Sequence, residues 1–256
     1  MELPFSAWFS SATTYRGSAG ARKRTAWVQE FDTRTRNDTP LAANFATRGS
    51  GHLLQQLGTG DRFIHFLDFL VYMNAQNGQE ALNSRLEAIL ADAGSAWRVG
   101  QRLGNAGLER RVPEGVVEAA ETVMTTSGTA GVLLSEAWRS LYGQSPDYEE
   151  AYEKAIKAVE EAGVHVVCPN NGKATLGTMA RDMENQKDWA LPLGEDAKHP
   201  SRDVVYRMVQ SLWAGQESRH GGNGYRKPTP EEAEAAVLLA VPLVQWFISG
   251  TVARRP

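Results

Sequence analysis

A chain of 256 residues, 42% hydrophobic and with a formal net charge of -3, is long enough to bury a core without covalent staples. Its one cysteine, Cys168, excludes an internal disulfide and any cysteine-rich zinc site. The longest apolar run, residues 235–244, is shorter than a bilayer span, and no charged start leads into an apolar stretch near residue 1. The expectation is a cytoplasmic protein with no membrane association.

Charge is unevenly spread. Residues 1–50 hold seven basic side chains against four acidic ones, net +3, which leaves -6 for the remainder. Up to residue 51 there is no sustained helical or strand period, only Ser, Thr, Gly and Arg among scattered aromatics. Residues 1–50 therefore read as a basic, irregular N-terminal arm, with a short strand expected at 27–36 from its aromatic and β-branched content. Arg22, Lys23 and Arg24 form its basic cluster, to which Arg226 is added as a further candidate RNA-binding residue. Cations interleaved with aromatics can hold single-stranded RNA. They can equally wrap the acidic body or a partner chain, and the lack of a surrounding nucleic-acid module favours that use.

From His52 the period becomes helical, and residues 51–256 read as one helical domain. Phe63, Phe66, Leu67, Leu70 and Met73 make one stripe, with Asp61 as N-cap and residues 77–78 as the stop. Asp61, His65, Asp68 and Tyr72 share another face, which reads as solvated and not as a metal site. A second helix is expected over 78–93. Alternation around central turn residues then predicts a β-hairpin at about 95–112. Pro113 opens a helix over 114–126 with Val116, Val117, Ala120 and Val123 inward, and helices over 129–142 and 147–162 come next. Residues 164–168 read as extended. The loop after them fails as a phosphate loop, because Val167 and Ala174 stand where glycine and a hydroxyl are needed, so residues 171–172 read as a turn.

The last third carries the candidate chemistry. Val205, Val209, Leu212 and Trp213 recur at helical spacing, and Gln216 and His220 continue that stripe in polar form before Gly221, Gly222 and Gly224 break it. A histidine at that end of a helix also complements the dipole, so His220 reads equally as a cap. Thr229, Pro230 and Glu232 form a capping box opening a long apolar helix, which Pro242 should kink and which should be central to the core.

Two helices joined by a turn holding Arg219, His220, Gly221 and Gly222, then a long hydrophobic helix, resemble the C-terminal domain of bacterial abortive-infection proteins in the HEPN superfamily. The likeness is clearest over residues 198–250 and extends weakly back to about residue 80. It implies an all-α, HEPN-like helical bundle with the hairpin inserted and the arm added. It also implies a role in phage defence as a metal-independent endoribonuclease, needing no cofactor and no metal and working as a homodimer or as the partner subunit of a defence system. Catalytic roles would then fall to His220 as acid/base, Arg219 as phosphate clamp and Gln216 as the group orienting the imidazole. The family's arginine precedes its histidine by four to six intervening residues, positions held here by Trp213, Ala214 and Gly215. A non-catalytic HEPN-like module that binds RNA or a partner subunit is the alternative.

Overall fold

A computed structural model describes residues 2–18, 20–36, 38–102, 104–193, 200–215 and 226–255. The chain is predominantly α-helical and divides into two compact units, residues 1–111 and 112–256, each with its own core.

The first unit overturns the irregular arm. Residues expected to be patternless form α1 (Glu2–Thr13), α2 (Thr25–Thr35) and α3 (Ala42–Arg48), with a small hairpin of β1 (Thr14–Gly17) and β2 (Gly20–Lys23) between the first two. Trp8, Phe9 and Ala12 on α1, at one-turn spacing, are fully buried, and Trp8 Nε1 donates to the Leu82 carbonyl at 2.7 Å. The strand expected at 27–36 is α2 instead. Its aromatic residues serve a helical stripe in which Phe31 meets Phe66 edge-to-face at 4.9 Å. Packing against α5 (Asp61–Gln76) outweighs the local preference for extended backbone.

Helices α4 (Ser50–Leu57), α5 and α6 (Glu80–Asp92) keep the expected order. Gly60 at φ 111° takes the cap position expected of Asp61, which opens the helix instead. The hairpin is present as β3 (Trp97–Arg102) and β4 (Asn105–Arg110), in register from Trp97 opposite Arg110 to Arg102 opposite Asn105. Asp68, expected on a solvated face, lies beneath this hairpin and accepts the Leu108 N–H at 2.6 Å. Burial raises its pKa above the usual carboxylate range, while the Leu108 bond pulls the other way. Glu87 takes the Val99 N–H at 2.7 Å and also pairs with Arg111. Two carboxylates thus pin the hairpin to the helices that precede it.

The second unit is a bundle of α7 (Glu114–Thr126), α8 (Gly128–Tyr142), α9 (Tyr148–Val167), α10 (Leu176–Gln186), α11 (Ser201–Ala214) and α12 (Pro230–Ser249). A short pair, β5 (Trp189–Ala190) with β6 (Ala253–Arg254), ties the chain end back. Helix α12 packs on α7, α8, α9 and α11, which makes it the central element of this unit as expected. It is also the one described helix long and apolar enough to cross a bilayer by length and composition. Here Val237, Val241, Leu243, Val244 and Phe247 are buried among its neighbours. Two local expectations fail. Val116 is 38% exposed and not inward, and residues 164–167 complete the last turn of α9 in place of an extended piece. The β-branched run there is buried at Val164 and Val167, so the helix that Asp147 caps continues through it.

Candidate functional site

The end of the bundle where α11 stops and α12 starts is built from strong local signals. Val205, Val209 and Leu212 are buried, as their spacing demands. The helix ends at Gly215, whose N–H reaches the Ser211 carbonyl at 3.1 Å. Tyr152 comes in from α9 and donates its hydroxyl to the Leu212 carbonyl at 3.1 Å. A Cβ on Gly215 would lie 2.3 Å from that hydroxyl oxygen, so glycine is required for this close approach. Trp213 lies against the first turn of α10, where a Cβ on Gly177 would meet its ring at 2.4 Å.

On the other side of this end, Thr229 accepts the Glu232 N–H at 3.2 Å while Glu232 accepts the Thr229 N–H at 2.8 Å, the reciprocal box expected. Arg226 adds a fork to the same carboxylate, at 2.7 and 2.6 Å. The Arg226 guanidinium and then the Thr229 N–H bring the Glu232 pKa down to about 2. Between the two helix ends is a cavity of about 220 Å³, lined by Tyr152, Ser211, Leu212, Gly215, Glu232 and Leu239 among others. Its wall is largely apolar, with a carboxylate and a hydroxyl at hand.

Gln216, Arg219 and His220 lie outside the described residues. The RNA-binding candidates do not: each is seen in place, and three already hold intramolecular partners. Lys23 donates to the Ala46 carbonyl at 2.7 Å. Arg24 donates to the Thr14 carbonyl and to Gln79, lies 4.0 Å from the Trp27 ring centroid and 5.6 Å from that of Tyr15, and has its pKa lowered by burial. Arg226 is engaged by Glu232. Arg22 extends over Gly17 on the neighbouring strand. The basic cluster at 22–24 thus joins the first hairpin to α2, α3 and the start of α6.

Two other groups singled out by sequence resolve into structure. The turn at 171–172 is present, with the Ala174 N–H on the Asn171 carbonyl at 3.0 Å. The first amide of α10, at Leu176, is taken by Glu160 at 2.6 Å and a later one by Thr175, so protein groups occupy the helix start that a phosphate loop would use. Cys168 donates to Asp182 at 3.2 Å, and burial, then that bond, pushes its pKa up to about 11, which keeps the thiol protonated. Among the described residues no cluster of His, Cys, Asp and Glu could hold a metal ion.

Sequence reading missed a second and larger cleft, of about 300 Å³, between α10 and α11. Met183 and Trp189 form its buried floor, and Glu184, Lys187, Asp203, Tyr206 and Arg207 its rim. These side chains come from α10, its C-cap, β5 and α11, so no fixed spacing announces them. No protein-family model, curated protein or solved structure matches the chain.

Proposed function

We propose that this chain is a HEPN-like protein of bacterial phage defence that cleaves RNA without a metal and works as a dimer. What supports the reading is the junction of α11 and α12 in one helical bundle, with the Thr229 capping box fixing the start of α12 beside a cavity. In this reading His220 takes the proton of a ribose 2'-hydroxyl as that oxygen attacks the adjacent phosphorus, the P–O5' bond breaks, and the departing 5'-oxygen takes a proton from solvent, leaving a 2',3'-cyclic phosphate and a 5'-hydroxyl. Arg219 stabilises the charge that builds on the phosphoryl oxygens, and Gln216 orients the imidazole. No step needs a cofactor.

The test is direct. End-labelled single-stranded RNA incubated with the full chain in excess chelator should be cut by the wild type. His220→Ala should lower the rate by about a hundredfold or more, the span typical of a lost acid/base group. RNA left intact at high protein concentration excludes catalysis.

One observation favours the non-catalytic alternative, a module binding RNA or a partner subunit. The family's arginine would fall at 213–215, yet Trp213 is packed on α10 and Gly215 admits no side chain beside Tyr152. Intact RNA that is nonetheless retained by both wild type and His220→Ala in a filter-binding assay would select that alternative.

A further inference from the structure

The cleft between α10 and α11 carries a distinctive set of side chains. Its floor is apolar and aromatic, Met183 at 2% and Trp189 at 4% exposure, with Tyr206 beside them at half-burial. Two cations, Lys187 and Arg207, stand on the rim, and no hydrogen bond or ion pair joins either head group to another described residue. Arg207 has only the face of Tyr206, 5.7 Å from the ring centroid. Lys187 is held at φ 58° as the left-handed cap of α10, a conformation rarely occupied by a residue with a side chain. The rim carboxylates are Glu184, which together with burial raises the Tyr206 pKa, and Asp203, which stands in the first turn of α11 and has a partner of its own.

We propose that this cleft binds a nucleoside monophosphate, arriving free or as one unit of an RNA strand. Lys187 and Arg207 supply the positive charge that a phosphate needs, and an arginine fork suits its oxygens. The partly exposed ring of Tyr206, backed by the buried Met183 and Trp189, offers a base a face on which to stack. Carboxylates at the same rim accept from ribose hydroxyls, the use they serve in dinucleotide sites, which accounts for mixed charge around an aromatic floor. A volume of about 300 Å³ is at the small end of ligand pockets and suits one nucleotide, not a dinucleotide. The inference does not rest on the reading of His220.

Calorimetric titration of the full chain tests it, with 5'-AMP, adenosine, inorganic phosphate and a tetra-adenylate lacking terminal phosphates as separate probes. AMP should bind at least about tenfold more tightly than adenosine or phosphate. Lys187→Gln and Arg207→Gln should each weaken AMP by about tenfold, while Arg181→Gln, on α10 but outside the cleft lining, leaves it unchanged. Both cations are exposed, so the folded state survives their replacement, which circular dichroism checks. Binding of the tetra-adenylate alone, with the same loss in both variants, supports the cleft as a seat for a strand unit. Absence of heat with AMP and tetra-adenylate at millimolar concentration overturns the proposal. So does equal affinity for AMP and phosphate, or affinity unaffected by either substitution.

Discussion

Glu232 is where three local signals meet: it closes the capping box, receives the Arg226 fork and forms part of a cavity wall. Its folded-state pKa of about 2 lies below the ordinary 4.5, so the carboxylate is favoured by folding. Its contribution is present above pH 4.5 and is lost as pH falls through about 2. Tracking the Glu232 carboxyl carbon by NMR should give a midpoint near 2 in the wild type and one moved up toward 4.5 in Arg226→Gln. An unmoved midpoint would show that the Thr229 amide alone sets it. Asp68 has the opposite sign: burial raises its pKa, so its ionisation under the hairpin opposes folding as pH rises through the acid range. The capping box was legible in sequence because its partners are three residues apart. Asp68 was not, because its partner, Leu108, is forty residues away.

At the scale of elements, most helices of the second unit lie where periodicity puts them, because each buries a stripe along its own length. How closely they approach is a separate matter. Gly131 on α8 faces the backbone of α7, and a Cβ there would sit 2.3 Å from the Met124 carbonyl oxygen. That oxygen belongs to a helix and cannot swing aside. Gly131→Ala should therefore destabilise the protein by about 1–3 kcal/mol, even though alanine is the better helix former by roughly 1 kcal/mol. A lower urea midpoint with unchanged slope would show it, whereas a raised midpoint would mean that the two helices can separate. The same distinction explains α2. Its local composition favours a strand, but Val28 and Phe31, three residues apart, are both buried when the segment is helical.

For the whole molecule, each of the two units closes its own core. The second gathers its core from six helices with α12 at the centre, and the hydrogen bonds that cap α9, α10 and α12 all come from residues after 112. A chain of residues 112–256 should therefore fold alone, with a helical circular-dichroism spectrum and one cooperative thermal transition. A broad, non-cooperative melt would show that this core needs residues 1–111. The first 50 residues belong energetically with α5 and α6, since Trp8, Phe9, Phe31 and Phe45 are buried in the same core as Phe66 and Leu86.

The sequence by itself determined the helical class, the order of α5 to α9, α11 and α12, the hairpin near 97–110 and the capped start of α12. Each depends on residues close in the chain, through periodicity, turn chemistry or a cap. Only the tertiary structure decided that the basic N-terminal segment is helical core, that Asp68 is a half-buried clamp, that Lys23 and Arg24 are joined to neighbouring elements, and that α10 and α11 enclose a cleft. Those features depend on distant segments meeting, and the free energy of burying aromatics and pairing polar groups there exceeds the weak local preferences that a single sequence displays.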